Sequence, residues 1–193
     1  MAGPADDVYN CATAASPQTL IRVRGMNEES IIAYWGAQDL KRWSEAALSD
    51  VAIPDTSKTF LREVGLPAPQ RRISSYKFEW HDALARIADA PSRRLLGNNY
   101  GRPILIDESR DGCVIWGKID DTWERYVNAS VEQFAASLIE VDRFATRKLS
   151  YDDPATQRAV TALWRELKKI DPTAIADPES LWSLKIFDMR LEI

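Results

Sequence analysis

The chain of 193 residues carries 25 Lys and Arg against 29 Asp and Glu, a formal net charge of −4, with 45% hydrophobic and 28% charged residues. Such a composition describes a globular protein long enough to bury a sizeable core. It weighs against nonspecific nucleic-acid binding, which draws on a basic surface, and suits a basic protein partner instead. No apolar run approaches the roughly 18 residues of a membrane span, and the start of the chain lacks the basic and apolar stretches of a secretory signal.

Residues 1–26 are small, polar and without period, and read as a disordered tail preceding a single domain over 27–193. Met26 is a second candidate start. From Asn27 the acids Glu28 and Glu29 sit in the first turn of a helix that stops at Gly36. Leu40, Trp43, Ala47 and Leu48 continue at helical spacing as a second short helix. Pro54-Asp55-Thr56 opens another helix, with Phe60, Leu61 and Val64 on its apolar face. Gly65 stands where that helix would end in a left-handed residue, Leu66 can fold back on Leu61, and Pro67 prevents continuation. Ile73 to Trp80 alternates as a strand, with Tyr76, Phe78 and Trp80 on one face. His81 to Ala90 is expected as a short helix or a loop, and Gly97-Asn98-Asn99-Tyr100-Gly101 as a turn.

Pro103 to Phe144 is the organising stretch: two hairpins in series running into a capped helix. Glu108-Ser109-Arg110-Asp111-Gly112 ends in the Asp-Gly turn signature, and Asp120-Asp121-Thr122 supplies the second reversal. Ser130 and Gln133 are spaced as a capping box, followed by the stripe Val131, Phe134, Leu138, Val141 and Ala145. Asp153-Pro154 opens a helix carrying Val160, Leu163, Trp164, Leu167 and Ile170. Asp177-Pro178 repeats the start signal before a last helix around Leu181, Trp182 and Ile186. The order predicts an α+β fold: an antiparallel meander of about four to six strands packed with helices, and a helical C-terminal segment.

Enzyme chemistry has little to rest on. The one histidine, His81, is followed by Asp82, but adjacent residues of an extended strand point to opposite sides, so His81 reads as a surface residue and not as half of a dyad. Cys11 and Cys113 lie far apart, form no disulfide framework and no zinc spacing, and fit a reducing cytoplasm. No glycine-rich phosphate loop is present, no spacing selects a carboxylate pair for acid–base work or a metal, and no cofactor is expected.

Two features point to binding. Asp107, Glu108 and Asp111 cluster in one hairpin turn and Asp120, Asp121 and Glu124 at the other. These acids suit solvated turns, where Asp makes local hydrogen bonds, or a partner-facing surface; alternate turns of a meander lie at opposite ends of the sheet. Of seven tryptophans, Trp35, Trp164 and Trp182 fall on helix stripes, whereas Trp116 and Trp123 lie in or beside strands. If Cys113 and Ile115 face the core, Trp116 and Lys118 face outward, and an exposed Trp is an interface anchor; burial under another helix is the competing placement.

The order Thr59-Phe60-Leu61-x-x-Val64-Gly65-Leu66-Pro67, Leu96-Gly97, Ile104-x-Ile106-Asp107, Gly112-x-Val114 and Tyr126-Val127-Asn128-Ala129-Ser130-Val131-x-Gln133-Phe134 resembles the SUKH superfamily of bacterial immunity proteins. The similarity is greatest to the clade with a Phe-Leu-x-x-x-Gly-Leu-Pro helix end and a Val-Asn-x-Ser-x-x-Gln-Phe junction, and spans Ile31 to Ile186. Ala129, where the family often has Ser, is a small departure. The resemblance implies a non-catalytic cytoplasmic domain, a monomer or weak homodimer, that binds and neutralises a cognate toxin domain such as a nuclease or nucleic-acid deaminase. It gives Gly65, Asn128, Ser130 and Phe134 folding roles. Asp107, Glu108, Asp111, Trp116, Asp120, Asp121, Trp123 and Glu124 are the partner-binding candidates from this sequence alone. A scaffold or regulatory protein of the same fold is the alternative.

Overall fold

The computed structural model describes residues 27–69, 73, 76–118, 123–150 and 153–191, the last two through their backbone. The expected tail before Asn27, Cys11, and the turn Asp120-Asp121-Thr122 lie outside the described residues. In chain order the elements are α1 Glu28–Trp35, β1 Leu40–Lys41, α2 Glu45–Leu48, α3 Asp55–Glu63, β2 Leu66–Pro67, β3 Phe78–Ile87, β4 Ala90–Asn99, β5 Arg102–Asp107, β6 Cys113–Gly117, β7 Glu124–Asn128, α4 Val131–Ala145, α5 Pro154–Ile170, α6 Thr173–Ala176 and α7 Leu181–Leu191. Strands β3 to β7 form one antiparallel meander in sequence order, and β1 pairs with β2. The fold is α+β with a helical C-terminal region, as the sequence predicts.

The helix ends follow their capping chemistry. Asn27 Oδ1 accepts from the Ser30 amide and opens α1, which closes at Gly36. Gly65 ends α3 at φ +88°, its amide donating to Phe60 O. A Cβ there would lie 2.1 Å from Lys41 O, so the same glycine lets β2 approach β1. Ser130 Oγ accepts from the Gln133 amide at 3.3 Å, one half of the expected capping box. The other half is replaced: Gln133 Nε2 reaches across to Ile170 O at 3.0 Å and ties α4 to the end of α5.

Three stretches differ from the sequence reading. Leu40 and Lys41 pair with Pro67 and Leu66 as a short strand, leaving only Glu45–Leu48 of the second helix. His81 to Ala90 is neither helix nor loop: β3 runs on to Ile87, turns at residues 88–89 and returns as β4 to Asn99. Its Ala-rich composition favours a helix, and the hairpin carries none of the usual Gly or Asn turn residues. Pairing with β4 overrides both signals. A register break between Trp80 and Ala85 buries Leu84 in the main core. Of the expected turn after Gly97, Asn98 and Asn99 belong to β4, and only Tyr100 and Gly101 turn, at φ +50° and +74°.

The sheet has two unlike faces. Leu96, Ile104, Ile106, Val114 and Val127 join the main core beneath α4, whose Val131, Phe134, Leu138 and Val141 are buried. Tyr76, Phe78 and Trp80 stack down one side of β3, with centroids 5.6 and 4.9 Å apart, and Phe134 meets the last two edge-on. Gly97 sits opposite Trp80 in register; a Cβ at Gly97 would stand 2.6 Å from the indole, so the ring requires the missing side chain. On the other face Ile87, Ala90, Leu105, Cys113 and Ile115 make a smaller apolar cluster.

Candidate partner-binding surface

The alternation of β4 sends two neighbouring arginines to opposite faces. Arg94, 1% exposed, turns toward the main core and is held by Glu108 at 2.7 Å, Asp50 at 2.9 Å and Leu84 O at 3.3 Å. Glu108 also accepts from the Ala52 amide. Asp50 is held below the usual carboxylate range by Arg94, through its hydrogen bond first and its charge second.

Arg93 lies on the opposite face, where it pairs with Asp107 at 3.7 Å and with Glu124. Arg110 closes the circuit, reaching Asp107 and Glu124 at 2.9 Å each. The four charges alternate around a closed, neutral ring beside the smaller apolar cluster. Burial raises the Asp107 carboxyl, but the Ser109 hydroxyl and Arg110 together outweigh it and leave the group lowered.

These pairings decide where the predicted site residues stand. Asp107 is buried, and Asp107, Glu108 and Glu124 are neutralised by the protein's own arginines, so they do not form an exposed acidic surface. Asp111 is exposed in a left-handed conformation at the turn. Asp120 and Asp121 lie outside the described residues. For Trp116 the competing placement holds: Cys113 and Ile115 are buried on the face away from α4, so Trp116 stands on the helix-packed face, half-buried at the rim of the main core. The sequence showed the alternation, but not that both faces are apolar.

Trp116 and Trp123 are the two candidates that the fold does bring together. Their rings meet edge-on at 5.5 Å with an interplanar angle of 85°. Arg102 lies over both, its guanidinium 5.2 Å from Trp116 and 5.4 Å from Trp123, and Arg125 approaches Trp123 at 5.8 Å. Register explains the grouping: Ile104, Trp116 and Arg125 form one cross-strand row, and the Lys118 amide donates to Trp123 O in the next. Sequence reasoning missed Arg102 and Arg125; their placement one strand either side of Trp116 was the available signal, and it required knowing the register.

Arg125 carries this patch toward the C-terminal helices by binding Glu179 O and Oε2 at 3.0 and 3.1 Å. Glu179 borders an open groove of about 390 Å³ among Trp164, Ile175, Pro178, Leu184 and Phe187, the last 56% exposed. One buried hub fixes those helices. Asp171 Oδ2 accepts from Tyr126 Oη, Asn128 Nδ2 and the Ala129 amide at 3.0, 3.2 and 2.8 Å. Its Oδ1 accepts from the Thr173 and Ala174 amides at the start of α6. Asn128 Oδ1 in turn accepts from Trp182 Nε1 at 2.9 Å.

His81 Nε2 faces Asn98 Nδ2 at 3.0 Å, and Asp82 pairs with Lys41. Among the described residues no group of three or more His, Cys, Asp or Glu could hold a metal ion, and no helix is long and apolar enough to cross a membrane.

A family model for the SUKH-4 immunity proteins matches residues 27–188. The chain belongs to the SUKH-4 immunity protein family. The match begins at the residue that caps α1 and continues into α7, so it takes in the sheet, the Trp pair and the Asp171 hub alike. No curated protein and no solved structure matches the chain. Within this SUKH-4 chain Asn128, Ser130 and Phe134 have structural placements: a buried hub, a helix cap and the central wedge of the core.

Proposed function

We propose that residues 27–193 act as one immunity domain in the cytoplasm, binding a cognate toxin domain directly and neutralising it without catalysis. The family match over residues 27–188 carries this reading. A nuclease or nucleic-acid deaminase is the toxin class that the SUKH resemblance favours. The contact surface we assign to the end of the sheet bearing Trp116 and Trp123, together with the adjoining edge of α7. Paired aromatic rings and a partly exposed Phe187 offer large, rigid apolar area, which is what energetically dominant interface residues supply.

Co-expression tests the function. A toxin domain encoded beside this gene, induced in a sensitive host, should be tolerated only when this chain is present, and the two should co-purify as a stoichiometric complex. Death of the host with no complex refutes the pairing. Capture of housekeeping proteins in place of the toxin would favour the scaffold reading.

A further inference from the structure

We infer that Arg102 is a docking point for a carboxylate group on the bound protein partner, so that the interface is cationic and aromatic where it meets an acidic segment. This rests on the proposed partner-binding reading and specifies its chemistry.

Arg102 is exposed and, among the described residues, makes no ion pair; its contacts are the faces of Trp116 and Trp123. Neither ring is a conventional hydrogen-bond acceptor, and among the described residues no hydrogen bond engages the Arg102 guanidinium, so its N–H donors are available to take a carboxylate in bidentate fashion. Two rings already restrain the side chain, so less rotamer entropy remains to be lost on binding. The surroundings reinforce the charge. Lys118, on the same face, is exposed and also without an ion pair among the described residues, whereas Arg125 is offset by Glu179.

Among the described residues the surroundings of the Trp pair are therefore cationic, although the net charge of the chain is −4. The other arginines near the sheet's acids are spent: Arg93, Arg94 and Arg110 each bind carboxylates of this chain. A phosphate backbone fits less well than a carboxylate. Trp116 and Trp123 stand nearly perpendicular, edge to face, and offer no pair of parallel platforms for successive bases.

Two arms test the inference. In the first, the indole N–H resonances of the ¹⁵N-labelled full chain are titrated with an acetylated hexaglutamate peptide, with hexalysine and with the oligonucleotide dT6. Shifts at Trp116 and Trp123 with hexaglutamate, absent with hexalysine and lost in Arg102→Gln, are the expected result. No shift, a shift that survives Arg102→Gln, or a response to dT6 in place of the peptide overturns it. In the second arm, affinity for the co-encoded toxin domain should fall at least tenfold in Arg102→Glu, partly recover in Arg102→Lys, and lose part of its salt dependence. Wild-type binding with an unchanged Arg102→Glu variant overturns the inference and leaves the immunity reading standing. Failure of the wild type to bind the toxin domain, with the peptide response intact, defeats the immunity reading alone. Thermal melts of each variant check the fold, which an exposed side chain should leave unchanged.

Discussion

Replacing Asp171 should destabilise the protein more than any single substitution at the Trp pair. The side chain is 1% exposed and its two oxygens accept from two side chains and three backbone amides besides the Thr173 hydroxyl. In Asp171→Ala some of these donors keep partners: Tyr126 Oη still meets Thr173 Oγ1 at 2.7 Å, and Asn128 Nδ2 still meets Ser137 Oγ at 3.2 Å. What remains is the lost cap on α6, about 1 kcal/mol, and the Ala129 amide and second Asn128 proton, about 1–2 kcal/mol each when left buried without an acceptor. The expected loss is therefore about 3–5 kcal/mol, a large share of an ordinary domain's stability of about 5–15 kcal/mol. Asp171→Asn keeps the shape but turns an NH2 toward one set of donors, so it should recover no more than about half of the loss. Urea unfolding followed by tryptophan fluorescence measures both. A loss below about 1 kcal/mol for the alanine variant, or a neutral asparagine variant, would refute the assignment of Asp171 as the carboxylate that organises the C-terminal helices.

Gly65→Ala combines a left-handed residue with a Cβ 2.1 Å from Lys41 O, and should cost about 2–4 kcal/mol in a urea titration. Gly101→Ala has a similar φ of +74° but open space around the new Cβ, so about 1 kcal/mol is expected there; equal costs would show that the β1–β2 approach contributes nothing. Arg110→Ala opens the ring of four charges and should cost about 1–3 kcal/mol, with a double-mutant cycle against Glu124→Ala returning a coupling of at least about 0.5 kcal/mol; additive losses would mean that the ring is four independent contacts. The lowered carboxyls of Asp50, Asp82 and Asp107 fix the sign of acid sensitivity. Because the unfolded chain protonates first, their contribution is full above an unfolded pKa of about 3.9 and is lost as pH falls through the folded values below it. Urea midpoints should thus hold from neutrality to about pH 5 and drop below about pH 4, less steeply in Asp107→Asn; a midpoint that rises on acidification would contradict the ion-pair account.

Capping and turn chemistry acts over three to five residues, and that much of the fold was legible in the sequence. Asn27, Ser130 and Asp153 cap their helices, Gly65 and Asp111-Gly112 take left-handed backbone, and Tyr76, Phe78 and Trp80 share a face because these outcomes follow from local sterics and a period of two. The family resemblance was legible for the same reason, being carried by the order of such signals. Strand pairing, by contrast, was decided by the tertiary structure. The segment from His81 to Ala90 is a strand because β4 lies beside it, not because its own residues ask for one. Which face of β6 meets α4, and so where Trp116 points, turned on a second apolar cluster that alternation alone cannot reveal. Asp107, Glu108 and Glu124, which looked like surface acids, became internal counter-ions once Arg93, Arg94 and Arg110 folded onto them, since a charge near the core is tolerated only with its partner. Sequence fixes what each residue can do locally; only the register sets Arg102 over two tryptophans from another strand and its neighbouring turn.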